Sequence, residues 1–173
     1  AQDPAAVSAG NVETSQRIVD VLLNAFAEIF PEKIPAQSCG SMNNVLLGGI
    51  DDRNGQRHTF VHYETLGGGA GAGPNGRGCD GIHVHMTNTL NTPIEVFERR
   101  FPIRIPRYAL RPHDDNVLGI PGGRGIQRHY AFLCDTTVTL IAERHRVAPK
   151  GRFGGSNGTN GEAYRVGLDG KQE

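Results

Sequence analysis

The sequence predicts an α+β fold: one amino-terminal amphipathic helix, then a mostly antiparallel β-rich domain with glycine-rich loops. Three observations lead there. A 3.6-residue apolar repeat occupies only the start of the chain, a two-residue repeat takes over from Ser41, and no strand–helix–strand alternation follows. At 173 residues the chain has the size of a single domain, here taken as residues 1–173, with room for a real core.

The helix is read in "NVETSQRIVDVLLNAFAEIF", where Ile18, Val19, Leu22, Leu23, Phe26, Ile29 and Phe30 recur at steps of three and four. Asn11 is placed as its N-cap, Glu13 suits the first turn, and Pro31 ends it. The polar face, Glu13, Gln16, Arg17 and Asp20, is assigned to solvent or to an interface. Strands are expected in "NVLLGGI" and "RHTFVHYETL", joined by a turn around Asn54-Gly55. Further strands are expected in "GIHVHMT", "VFERRFPIRIPRYAL", "IQRHYAFL" and "TTVTLIAERHRV". Pro102 and Pro106 place their strand at an edge or bend it.

Composition narrows the function. Eighteen Lys and Arg balance eighteen Asp and Glu, so no bulk charge favours nucleic acid or an anionic membrane, and no apolar run is long enough to span a bilayer. Cys39, Cys79 and Cys134 lie far apart with no CxxC pair, against a disulfide framework or zinc ribbon; a reducing, cytoplasmic setting fits. The 24 glycines cluster at 67–73, 76–81, 119–125 and 151–161. Tight turns of a β-rich domain account for them; close backbone approach to a ligand is the sharper reading. No P-loop is present, and the GxGxxG match at 71–76 opens no helix.

Alternation along "HTFVHYETL" puts His62 and Glu64 on one face at the strand exit, where each can tune the other's proton affinity. A half-exposed polar edge explains the same pattern. His83 and His85 would share a strand face; His-x-His is a metal-ligand spacing, but no third ligand stands at a telling distance, whether Asp80, Glu64, His62 or Glu143. Thr87, Asn88, Thr89, Asn91 and Thr92 supply hydroxyls and amides for a substrate; an Asx or Ser/Thr turn, with Asn88 or Asn91 capping the short segment "PIEVFE", explains them equally. Glu143 and His145 form a second Glu-x-His at a strand end, with an ion pair to Arg144 or Arg146 as the plainer account.

"AGNVETSQRIVDVLL", "GSMNNVLLGG", "FVHYETLGGGAGAG", "DGIHVHMTNTLNTPIEVFERRFPIRIPRYALR", "TLIAERHR" and "GRFGG" together resemble the carboxy-terminal part of the hydantoinase B family. That family includes the second half of 5-oxoprolinase and a large subunit of ATP-dependent ketone carboxylases. The resemblance implies a piece of an ATP-dependent hydrolase of cyclic amides and imides, or alternatively of a ketone carboxylase or a non-catalytic scaffold within either. ATP and Mg²⁺ would sit on a hydantoinase A-like partner, and a divalent metal in an amino-terminal portion that nothing here matches. Partners would be that A-like polypeptide, the rest of the B-like one, and a small cyclic amide or ketone. On this resemblance His62, Glu64, His83, His85, Glu143 and His145 are the catalytic candidates, and Gly68, Gly69, Thr87, Asn88 and Thr89 the substrate-binding ones. The amino-terminal blocks and glycine-rich tail of full-length relatives have no counterpart, so a fragment or separate subunit, inactive alone, is expected.

Overall fold

The computed structural model describes residues 10–112, 116–167 and 170–172. Helix α1 runs Gly10–Ile29, so Asn11 falls inside its first turn and not at the N-cap expected for it. Strands β1 (Asn44–Asp51) and β2 (His58–Thr65) follow, joined by a tight turn in which Gly55, at φ +76°, donates to the Asp52 carbonyl. Helix α2 spans Ile94–Arg100, then β3 Ile103–Leu110, β4 Ile126–Phe132 and β5 Thr136–Ile141. One antiparallel sheet has the order β2-β1-β5; a second pairs β3 with β4, with a register shift between Arg104 and Arg107 where Pro106 cannot donate. Two helices and antiparallel sheets make the fold α+β, as expected.

The core forms where the inner face of the three-stranded sheet meets α2 and the start of β3. Val45, Leu47 and Phe60 pack against Phe97, Phe101, Ile103 and Ile105. Three rings, Phe60, Phe97 and Phe101, stack in tilted contacts with centroids 5.2 to 6.0 Å apart.

Three expectations need correcting. The segment read as one strand, "VFERRFPIRIPRYAL", divides: Pro93 opens α2, Glu95 lies in its first turn, Arg99 and Arg100 in its last, and Pro102 separates it from β3. Neither Asn88 nor Asn91 caps it, because Pro93 occupies the N-cap without a side-chain bond. "GIHVHMT" is not a strand. Its one bridge joins Ile82 to Gly68, and then the Thr87 N–H turns back to the Val84 carbonyl, with His85 at φ +58°. The third correction concerns α1. Its polar stripe faces inward, with Glu13, Gln16 and Asp20 buried beside Ala27, while Ile18, Leu22, Phe26 and Ile29 stand about half exposed or more.

The glycine clusters are a seam of backbone on backbone. Gly68 and Ile82 exchange two hydrogen bonds, Ala70 donates to the Cys79 carbonyl, Gly123 to Ala70 and Cys39 to Gly69. A Cβ on Gly123 would lie 1.8 Å from the Cys79 oxygen, and one on Gly69 equally close to the oxygen of Gly123. At Gly125 the nearest atom is the flexible Arg111 side chain at 3.4 Å. Gly123→Ala should therefore cost about 3 kcal/mol or more by forcing backbone apart, and Gly125→Ala less than about 1 kcal/mol. Urea unfolding of the two variants beside the parent checks this; equal midpoints would show that the seam yields.

Candidate functional site

Two buried carboxylates organise this chain's polar interior. The first is Glu64, at the exit of β2. Strand alternation brings His62 onto the same face, with its Nε2 3.7 Å from Glu64 Oε2, too long for a hydrogen bond. The His62 ring stands edge-on to Phe97 at 4.8 Å and lies against Phe101, so the imidazole is also part of the core wall. From β4, Arg128 places Nε 2.9 Å from Glu64 Oε1, and the Tyr130 hydroxyl donates to the same oxygen. Asn91 donates from Nδ2 to Glu64 Oε2 at 3.0 Å and to the Thr65 carbonyl, and accepts from the Tyr108 hydroxyl.

Arg128 is enclosed. Its guanidinium carbon lies 4.6 Å from the Tyr108 ring centre, 5.6 Å from Tyr130 and 5.8 Å from Phe97, an aromatic box that favours a cation. Burial raises the Glu64 pKa, but His62, Tyr130 and Arg128 outweigh it and hold the carboxyl below its usual value. Burial and the neighbouring carboxylate push the Tyr130 phenol far up, so it remains a donor.

The second carboxylate is Asp20 on α1. Arg144 binds Asp20 Oδ2, Arg17 reaches the same oxygen at 2.6 Å, and His85 Nε2 lies 3.3 Å from Oδ1. Burial pushes the Asp20 pKa up; the His85 contact and the charges of Arg144 and Arg17 overcome that and depress it. One turn earlier Gln16 donates to the Val84 carbonyl at 3.1 Å and to the Thr87 hydroxyl, and Glu13 accepts from the Met42 N–H at 2.9 Å.

Residues 83–91 run between the two centres. His85 and Thr87 are held on the α1 side, while Asn91 is tied to Glu64 and Thr89 bonds both Thr65 and His83 Nε2. The two histidines are thus separated: the turn at His85 sends it to Asp20, whereas His83 stays at the partly open surface beside Thr89. Partial burial lowers the His83 pKa and the Thr89 contact offsets only part of that, so the ring is neutral at pH 7. Met86, Asn88 and Leu90 are exposed along this segment.

The other candidates are placed as follows. β5 ends at Ile141, so Glu143 and His145 do not continue a strand face. The Glu143 N–H donates to Ser41 Oγ, and Arg144, at φ +70°, leaves its neighbour to pair with Asp20. His145 lies beside Gly161. Gly68 and Gly69 sit in the backbone seam, with the Gly68 N–H committed to Ile82. Asp80 is bound by the Arg124 backbone and guanidinium and by Arg77, which hold its carboxyl down to about 2. Among the described residues no three His, Cys, Asp or Glu side chains gather to hold a metal ion. Nor is any described helix long and apolar enough to cross a membrane. Sequence reasoning missed Asp20, Gln16, Arg128 and Tyr130. The alternation of Arg128 and Tyr130 along "IQRHYAFL" was the available signal for two of them.

The model of the Hydantoinase B/oxoprolinase family matches residues 1–173, and the chain belongs to that family. It is 49% identical over 169 residues to an uncharacterised protein of Methanocaldococcus jannaschii, covering 98% of this chain and 28% of that relative. It is 41% identical over 167 residues to 5-oxoprolinase 1 of Arabidopsis thaliana, 96% of this chain and 12% of that protein. A Pseudomonas protein provisionally named as the B component of a D-/L-hydantoinase is 30% identical over 141 residues, 82% of this chain and 23% of its own. No solved structure matches. The chain thus spans between about an eighth and somewhat more than a quarter of these relatives.

Because folding depresses both carboxyl pKa values, their stabilisation is complete above the ordinary carboxylate range, near pH 4.5 and 3.8, and is lost as pH falls through the folded values. Thermal unfolding should show a midpoint that drops steeply below about pH 4. Glu64→Gln leaves Arg128 buried without its counter-charge and should cost about 3–5 kcal/mol. Adding Arg128→Met should restore much of that. Equal stability of the single and double variants would mean that the pair carries no such coupling.

Proposed function

We propose that this chain is the carboxy-terminal part of the B-type portion of an ATP-dependent hydrolase acting on the C–N bond of a cyclic amide or imide. The observation that carries the reading is the placement of residues 83–91, fixed at both ends by buried carboxylates while a neutral His83 stays accessible beside exposed Asn88. Family membership and the hydrolase names of the Arabidopsis and Pseudomonas relatives support it.

ATP with Mg²⁺ on an A-type partner would supply activation of the carbonyl carbon toward attack. His83 then acts as the general base: as water adds to that carbon, the imidazole takes the proton. It returns the proton to the ring nitrogen when the C–N bond opens, so base and acid are one group. Asn88 offers amide donors and acceptors to the substrate's own amide edge. His62, Glu64, His85 and Thr87 act as positioning residues, because their polar atoms face Glu64, Arg128, Asp20 and Gln16 respectively rather than solvent.

The test is turnover of 5-oxoproline and of hydantoin by the assembled enzyme, with and without ATP. His83→Ala should lower kcat by about 100-fold or more while assembly is unchanged. The acid limb of the kcat profile should lie below the usual histidine pKa and disappear in the variant. Retention of parental turnover by His83→Ala would remove His83 from the chemistry. Consumption of bicarbonate with the substrate's bonds intact would replace hydrolysis by carboxylation.

A further inference from the structure

Helix α1 presents two stripes of opposite character, and the inward one is polar. Its orientation is fixed by buried bonds: Asp20 to Arg144, Arg17 and His85, Gln16 to Thr87 and Val84, and Glu13 to Met42. Turning the apolar stripe inward would strand those groups without partners, each at the desolvation cost of a buried polar or charged group. The outward stripe is Ile18, Val21, Leu22, Phe26, Ile29 and Phe30, between 44% and 65% exposed. Its members follow a helical spacing with no charged residue between them on that face, and run from Ile18 through the carboxy-terminal part of α1 to Phe30, just past its end. Isolated surface leucines need no account, but a continuous stripe of this length marks an interface.

We infer that the α1 stripe docks against an apolar surface of the B-type polypeptide lying outside the segment this chain represents. The inference rests on the B-type reading above. The length of the relatives argues for that occupant: 98% of this chain aligns with only 28% of the Methanocaldococcus protein, so a polypeptide of this kind carries further residues able to cover the stripe. Helix-on-helix or helix-on-sheet packing against a second apolar layer is what an outward stripe of large aliphatic and aromatic side chains accepts. A membrane surface suits it less, since an interfacial helix carries free Lys and Arg on its polar face. Here the polar face is buried in the protein, and its one basic residue there, Arg17, is bound to Asp20 and the Gly40 carbonyl.

The experiment uses a full-length polypeptide in which this chain replaces its 49%-identical segment in the Methanocaldococcus relative. A photo-reactive phenylalanine analogue is placed at Val21 or Leu22, positions exposed enough to leave the fold of this chain unaltered. The expected result is intramolecular cross-links from both positions to residues outside the segment. In parallel, Leu22→Cys should react with a maleimide at least tenfold more slowly in the full polypeptide than in this chain alone. Cross-links between position 22 of two copies, or only to added lipid vesicles, would overturn the inference, as would equal maleimide rates. None of these readouts needs turnover, so an inactive hydrolase with protected Leu22 would sink the functional reading and leave this one standing.

Discussion

The ion pair between Asp20 and Arg144 is the contact on which the polar interior of this molecule depends. The two residues come from opposite ends of the chain, and their contact fixes which way α1 faces. It also ends the regular strand geometry after Ile141, because Arg144 must adopt a left-handed backbone to reach inward. An ion pair this deeply buried has a large desolvation cost, and hydrophobic replacements of equal volume are often at least as stable. Its value here is orientation: it brings α1 to the 84–87 turn through Gln16 and His85, which an apolar contact would do with less angular definition.

The Glu64 centre does the same at the other end of the 83–91 segment, with different materials. Its positive partner is caged by aromatic rings, and its second oxygen is claimed by Asn91, itself fixed by Tyr108. Between two such anchors the segment has little freedom to drift. Catalytic geometry tolerates displacements of well under an ångström, so a loop held from both sides by charge-assisted bonds behaves more like a scaffold element than like a connection.

Much of this was legible from local pattern. The period-two runs located β1, β2, β4 and β5, and alternation along β2 put His62 beside Glu64. The failures have physical causes. The helical repeat in α1 correctly separated an apolar from a polar stripe, but periodicity says nothing about which stripe meets the rest of the chain; assuming that the apolar one did hid Asp20 and Gln16. His83 and His85 were placed on one face because a short run with alternating apolar residues reads as a strand. What breaks it is a positive φ at a histidine, held by a carboxylate 65 residues away, and no local signal encodes that. Helix α2 was hidden by the alternation of the strand that follows Pro102.

The glycine seam carries one more consequence. Residues 67–82 and 121–125 contain almost no regular secondary structure, yet the amides of Gly68, Ala70, Gly78, Gly81, Ile82 and Gly123 are paired with carbonyls of packed neighbouring segments. Amide hydrogen exchange should therefore divide this protein along lines that its ribbon outline does not suggest. The N–H groups of Gly68, Ala70, Ile82 and Gly123 belong with the slow, cooperatively protected class, opening only with the fold as a whole. By that measure the glycine-rich stretches are among the stiffest parts of the molecule.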